Sequence, residues 1–288
     1  MEICDFIYHR PKSLAEACSL GAQLGPEARF LAGGTELLAD LKQQRDHTPQ
    51  VISLASLSEL AEIRVEGDDL WIGAAAKLQD IAESPLVLER FPALPEAILK
   101  MAARQIRHRA SIGGNFCGGV PSADTPPICI AGGASCEIAG PEGKRAVSAE
   151  AFFKGVRKVD LRGGEVLAAI RIPSQGSGSG ACYQRFQLRR ATALAVAGVA
   201  ARVLLDGKKI REARLVLGAV APVPLVAKSA SEWLAGRPAV PGSFEEAGRM
   251  ASAEARPISD LRGSDGFRRG LVETLTARAL LDATARAR

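Results

Sequence analysis

Two glycine pairs are the residues of this 288-residue chain best placed to do chemistry. One, Gly33-Gly34, lies in FLAGGTELL at residues 30–38, with a Thr hydroxyl directly after it and a helix-like run beyond. The other, Gly113-Gly114, lies in MAARQIRHRASIGGNFCGGVPSADTPP at 101–127, which shows no helical period and runs on through Gly118-Gly119. Where a Cβ is missing, backbone N–H groups can turn inward and approach a ligand closely, as they do around pyrophosphates. Two such loops suggest two sides of one ligand, although Gly-Gly also serves as plain turn punctuation. Neither loop matches the dinucleotide fingerprint GxGxxG or the P-loop GxxxxGK(S/T), so the Rossmann and nucleoside-triphosphate readings lack their signature.

The elements that must hold these loops read as an α+β chain. The first 57 residues form a small βαβ-like unit. It has a strand around Phe6 and Tyr8, a helix over 13–24 capped by Ser13, a strand over 29–32, a helix over 36–44 and a strand over 51–54. The first glycine loop thus joins a strand to a helix, where N–H donors and the helix dipole can face a phosphate. A larger mixed α/β unit spans 58–174. Strands over 63–65 and 69–72 flank a Gly67-Asp68 turn, helices cover 77–84 and 91–104, and the second glycine loop follows. Segments 128–131 and 135–138, a hairpin across PEGK at 141–144 and a strand over 165–172 complete it. QGSGSG at 175–180 reads as a flexible connection or exposed turn. The remainder, 175–288, shows strands over 181–187, 193–206 and 213–219, then helices over 229–234, 245–255 and 266–286.

Composition narrows the function. Net charge is +5 but scattered, and only 5% of residues are aromatic, so there is no basic and aromatic stripe for nucleic acid. The apolar runs fall well short of the roughly 20 residues of a membrane span. MEICDFIYHR carries acids where a signal peptide would be basic and then apolar, so a soluble cytoplasmic protein is expected. Cys4, Cys18, Cys117, Cys129, Cys136 and Cys182 form no CxxC pair, and His9, His47 and His108 have no metal-ligand spacing. No metal site and no catalytic acid–base constellation are expected from them.

The AGGTE loop at 32–36, QIRHRASIGGN at 105–115 and SADTPP at 122–127 together resemble the FAD-binding medium subunit of the molybdenum hydroxylases, the family of xanthine dehydrogenase and carbon monoxide dehydrogenase. FFKGVRK at 152–158, LGAVAPVPL at 217–225 and PISDLRGSDGFRRGL at 257–271 extend the likeness over almost the whole chain. The resemblance implies a two-part FAD-binding domain followed by a three-stranded antiparallel sheet with helices. It also implies FAD contacts from Phe30, Leu31, Ala32, Gly33, Gly34, Thr35, Glu36 and Leu37 on one side of the pyrophosphate. Ser111, Ile112, Gly113, Gly114 and Asn115 lie on the other, with Met101 nearby. Asp124 occupies the family's acidic FAD position, although an Asx-turn before Pro126 would also explain it. Leu167 matches a family position that packs against the cofactor, and Arg185 stands where one branch has a lysine, a solvated surface arginine being the alternative.

In such a family the partners are an iron-sulfur small subunit and a molybdenum-cofactor large subunit, commonly in a dimer of heterotrimers. NAD or another molecule accepts the electrons. A branch resembling 4-hydroxybenzoyl-CoA reductase carries an extra cluster on four cysteines of an inserted segment; Cys117, Cys129 and Cys136 are three, without the insertion, so no cluster is expected. Gly118-Gly119 departs from the Asn-Ala many relatives carry after the cysteine. Two rivals stand beside this reading: a self-sufficient FAD enzyme resembling the UDP-N-acetylenolpyruvoylglucosamine reductases, and a flavin-free scaffold that only bridges partners.

Overall fold

A computed structural model describes residues 5–189 and 193–287; Cys4 lies outside them. The N-terminal unit contains β1 (Ile7–His9), α1 (Leu14–Leu24), β2 (Ala28–Leu31), α2 (Leu37–Lys42) and β3 (Gln50–Ser53). Its parallel sheet has the order β1-β3-β2, with Tyr8 and Arg29 both opposite Val51. Ser13 caps α1 as expected, its hydroxyl accepting from the Glu16 N–H.

The next unit runs β4 (Ile63–Glu66), β5 (Asp69–Gly73), α3 (Leu78–Glu83), α4 (Pro85–Arg90), α5 (Ala93–Leu99), α6 (Arg104–Arg107), α7 (Ile112–Cys117) and α8 (Thr125–Ala131). Then come β6 (Ser135–Gly140), β7 (Gly143–Ser148), α9 (Ala149–Phe152), β8 (Phe153–Gly155), β9 (Lys158–Val159) and β10 (Val166–Ile172). The five-stranded sheet has the order β4-β5-β10-β6-β7, and β6-β7 is the hairpin that PEGK announces.

Two local expectations fail here. The single helix over 91–104 is broken, because Pro92 disfavours helical backbone at Phe91, whose φ is −151°. Ala102, at φ +51°, then stops the chain a second time. The aperiodic stretch 101–127 is not a loop but three short helices, α6, α7 and the start of α8. Gly113 can be helical because its missing side chain lets α7 lie against Ala74, whose Cβ and carbonyl oxygen would both sit 2.6 Å from a Cβ at 113.

The C-terminal part holds β11 (Ser179–Phe186), β12 (Ala197–Asp206), β13 (Lys209–Gly218), β14 (Leu225–Val226), α10 (Lys228–Leu234), α11 (Pro241–Glu254) and α12 (Asp265–Arg286). Its three long strands pair antiparallel, and the two-residue β14 adds an edge strand to them. The 175–180 connection is pinned rather than loose. Gln175 donates to Gly132 O (3.0 Å) and accepts from Arg202 Nε (2.8 Å).

The face of this sheet turned toward α8 is hollowed by a cross-strand glycine pair, Gly198 opposite Gly218. A Cβ at 198 would lie 2.4 Å from the Tyr183 hydroxyl, and one at 218 would lie 3.0 Å from Pro127 Cγ. The missing side chains let Tyr183 and α8 seat themselves in the sheet.

Before α12, Asp260 organises a tight turn, accepting from the Arg262 N–H (2.8 Å) and from the buried Arg268 (2.7 Å). Those bonds, the Arg262 N–H foremost, hold its carboxyl at about 2 against an ordinary 3.8. A depressed carboxyl stabilises the fold above its ordinary value and ceases to as pH falls through its folded one. Asp260→Asn should therefore unfold at lower urea concentration than wild type at neutral pH. The gap should close as the pH is taken from 3.8 down to about 2 in a series of urea titrations.

Candidate cofactor site

A cavity of about 680 Å³ opens between the N-terminal unit and α7. It is within the 300–1,000 Å³ typical of cofactor pockets. The first glycine loop forms one wall and α7 the other, and the loop touches the turn just before α7. A Cβ at Gly33 would stand 2.0 Å from the carbonyl oxygen of Arg109, so only glycine permits this approach. Gly34 follows at φ +73°, a left-handed turn that reverses the chain into α2. Among the described residues, no protein acceptor takes the N–H of Gly33, Gly34, Thr35 or Glu36. That leaves a row of neutral donors at the mouth of an otherwise largely apolar cavity.

The opposite wall works differently from the sequence expectation. The N–H groups of Ile112, Gly113 and Gly114 are already engaged, by Ala76 O (3.1 Å), Ala74 O (2.8 Å) and the Ser111 hydroxyl (3.1 Å). The second glycine pair therefore contributes space rather than donors. Gly113 is filled from behind by Ala74, whereas Gly114 is exposed and a Cβ there would meet only Ser111 Oγ, at 3.1 Å.

Phe30, Leu31, Ala32, Gly33, Gly34, Thr35, Glu36, Leu37, Met101, Ser111, Gly113, Gly114, Asn115 and Leu167 all line this cavity. Ile112, Asp124 and Arg185 do not. Ile112 points into the core. Asp124 caps nothing, so the Asx-turn is absent. Its carboxylate accepts from the Tyr183 hydroxyl (2.8 Å) and from Arg185 (2.6 Å), which is buried with it and is no solvated surface residue. Burial raises the Asp124 carboxyl above its ordinary value, with Arg185 and Tyr183 pulling the other way. Asp124 is nevertheless wired to the cavity, because the next residue, Thr125, donates to Asn115 Oδ1 (2.7 Å).

Several contributors carried no sequence signal. Arg107, in a run that looks like a solvated loop, is buried and donates to the carbonyls of Met101 (2.9 Å) and Ala102 (3.0 Å). It fixes the turn that brings Met101 to the cavity. Glu165, which lines the cavity beside Leu167, is held by a two-pronged ion pair from Arg145 (2.7 Å each). Arg157 reaches the cavity from the β8-β9 hairpin. One signal was available: Ala74 and Ala75 follow directly on Gly73, and three small residues in a row permit close approach. Burial pushes the Cys117 thiol up to about 12, and those of Cys129 and Cys136 up as well. Among the described residues, no group of three or more His, Cys, Asp or Glu could hold a metal ion.

Comparison with known proteins places the chain in a family. The family description "FAD binding domain in molybdopterin dehydrogenase" matches residues 3–175, and "CO dehydrogenase flavoprotein C-terminal domain" matches 181–283. The chain belongs to the FAD-binding medium subunits of the molybdenum hydroxylases. It is 35% identical to the carbon monoxide dehydrogenase medium chain of Hydrogenophaga pseudoflava, over 98% of each chain. It is 33% identical to the xanthine dehydrogenase FAD-binding subunit of Escherichia coli O157:H7, over 97% of this chain and 96% of that one. A solved carbon monoxide dehydrogenase from Hydrogenophaga pseudoflava superposes with a TM-score of 0.96, covering 99% of both chains at 35% identity.

FAD is the family's cofactor, and the residues present fit it: free N–H donors for phosphate oxygens, a glycine-lined gap, and apolar walls for a ring system. The two glycines of α7 should behave oppositely. Gly113→Val should cost about 1–3 kcal/mol through overpacking against Ala74, read as a lowered midpoint in thermal unfolding. Gly114→Val should unfold near the wild-type midpoint yet lose flavin absorbance, because its side chain enters the cavity.

Proposed function

We propose that this flavoprotein subunit receives electrons from iron-sulfur clusters on a small partner subunit, fed by a molybdenum cofactor on a large one, and delivers them through FAD to an external acceptor such as NAD. The observation that carries this reading is the cavity between the two glycine elements, in a chain matched end to end by medium subunits of the family. FAD, when bound, supplies the exchange between one-electron and two-electron carriers. The chain's own residues hold and orient it. Gly33, Gly34, Thr35 and Glu36 offer backbone N–H groups to the diphosphate; Gly114, Ser111 and Asn115 bound it opposite; Met101, Leu31 and Leu167 supply apolar wall. Asp124 and Arg185 act from behind Asn115, through Thr125.

We place the division between FAD-binding and C-terminal domains at 174/175, with subdomains 1–57 and 58–174, supported by the separate sheets. A cytoplasmic location is supported by free cysteines at 18, 117, 129, 136 and 182. It is also in keeping with the lack, among the described residues, of any helix long and apolar enough to cross a membrane.

The purified full chain should show flavin absorption bands that bleach with dithionite. It should not oxidise NADPH at the expense of a small organic substrate when alone. Steady turnover of that kind without partner chains would instead mark a self-sufficient reductase, and a colourless chain that takes up no added FAD would reject the cofactor assignment.

A further inference from the structure

Arg157 is the arginine of the FFKGVRK segment at 152–158. It sits at φ +55° in the β8-β9 hairpin, its N–H donates to Gly119 O (2.8 Å), and a Cβ at Gly119 would lie 3.0 Å from the Arg157 Cα. Gly119 itself is at φ +57°. Its neighbour Gly118 leaves room for the Glu36 carboxylate, which would be 2.6 Å from a Cβ there. Gly118-Gly119 is thus shaped to bring Arg157 and Glu36 together. The Arg157 guanidinium lies 3.1 Å from Glu36 Oε1 and 3.1 Å from Asp40 Oδ2.

Glu36, Asp40 and Arg157 all line the cavity. Its other charged lining residues are matched locally: Arg29 with Asp46 (3.1 Å) and Glu165 with Arg145 (2.7 Å). Asp40 has one further cation, the exposed Arg45, at 3.7 Å. Two carboxylates therefore share a wall with the N–H groups that would hold a dianionic diphosphate, and among the described residues Arg157 alone is paired with both.

We propose that Arg157 is a positioning counter-ion for cofactor binding: it screens Glu36 and Asp40 from the phosphate oxygens rather than gripping the phosphates itself. This rests on the placement of the FAD diphosphate against residues 33–36 given above. The electrostatics set the expectation, since an uncompensated carboxylate several ångströms from a phosphate in a partly desolvated site costs roughly a tenfold in affinity.

The test is FAD titration of the full chain, stripped of flavin, followed by quenching of flavin fluorescence. Arg157→Ala should bind roughly tenfold more weakly at neutral pH and recover as pH falls and Glu36 takes up a proton. Arg157→Ala combined with Glu36→Gln should return to within about threefold of wild type, and Arg157→Lys, which keeps the charge, should stay within the same range. Wild-type affinity in Arg157→Ala would overturn the proposal. So would a loss in Arg157→Ala that Glu36→Gln fails to rescue, which would mean direct phosphate contact, or an equal loss in Arg157→Lys. Failure of the wild-type chain to bind FAD would remove the diphosphate placement as well, which separates the two readings.

Discussion

The backbone-to-backbone contact between Gly33 and Arg109 is the constraint on which the rest of the site depends. A carbonyl oxygen stands 2.0 Å from where a side chain would begin, so the two walls of the cavity are set by main chain and not by adaptable side chains. Everything near the contact serves to keep it. Ser111 caps α7 so that the helix starts in register, Ala74 and Ala76 receive its first N–H groups, and Arg107 ties down the preceding turn. Because those helix donors are spent on structure, the donors left to face a ligand are those of the first loop, whose N–H groups have no protein acceptor among the described residues. A cavity with fixed backbone walls is preorganised, and preorganisation lowers the ordering that a ligand must pay for on entry.

What was legible in the sequence was local. Ser13 announces its helix, PEGK announces its hairpin, and the strand-to-helix setting of Gly33-Gly34 follows from apolar spacing on either side. Several of the misreadings originate in contacts remote in sequence. Nothing near Gly113 reveals that Ala74 lies under it, so a helix with two glycines in its first turn looks like a loop. Arg107 is buried only because Gln79, 28 residues earlier, and the Met101 carbonyl both meet its guanidinium. Pro92 was a readable breaker, and its effect on Phe91 is a purely local one that apolar periodicity obscured.

The family resemblance located residues that patterning could not, and the geometry sorts them into two groups. The glycine-loop residues, Met101 and Leu167 meet around one cavity, while Asp124 and Arg185 form a buried ion pair behind it. A buried pair with one hydroxyl donor added is a costly arrangement unless its geometry is held firmly. Here it is held by elements from both halves of the chain.

That arrangement makes the junction between the halves a keyed joint. Tyr183 and Arg185, on β11, are seated in a sheet whose surface is cut away at Gly198 and Gly218, and they grasp Asp124 at the start of α8. The adjoining Thr125 holds Asn115, and Asn115 is part of the cavity wall. A sheet that slid even slightly against α8 would therefore tug on the rim of the cavity through Asp124, its chain neighbour Thr125 and Asn115. The C-terminal half is a mechanical neighbour of the cavity even though none of its described residues lines it.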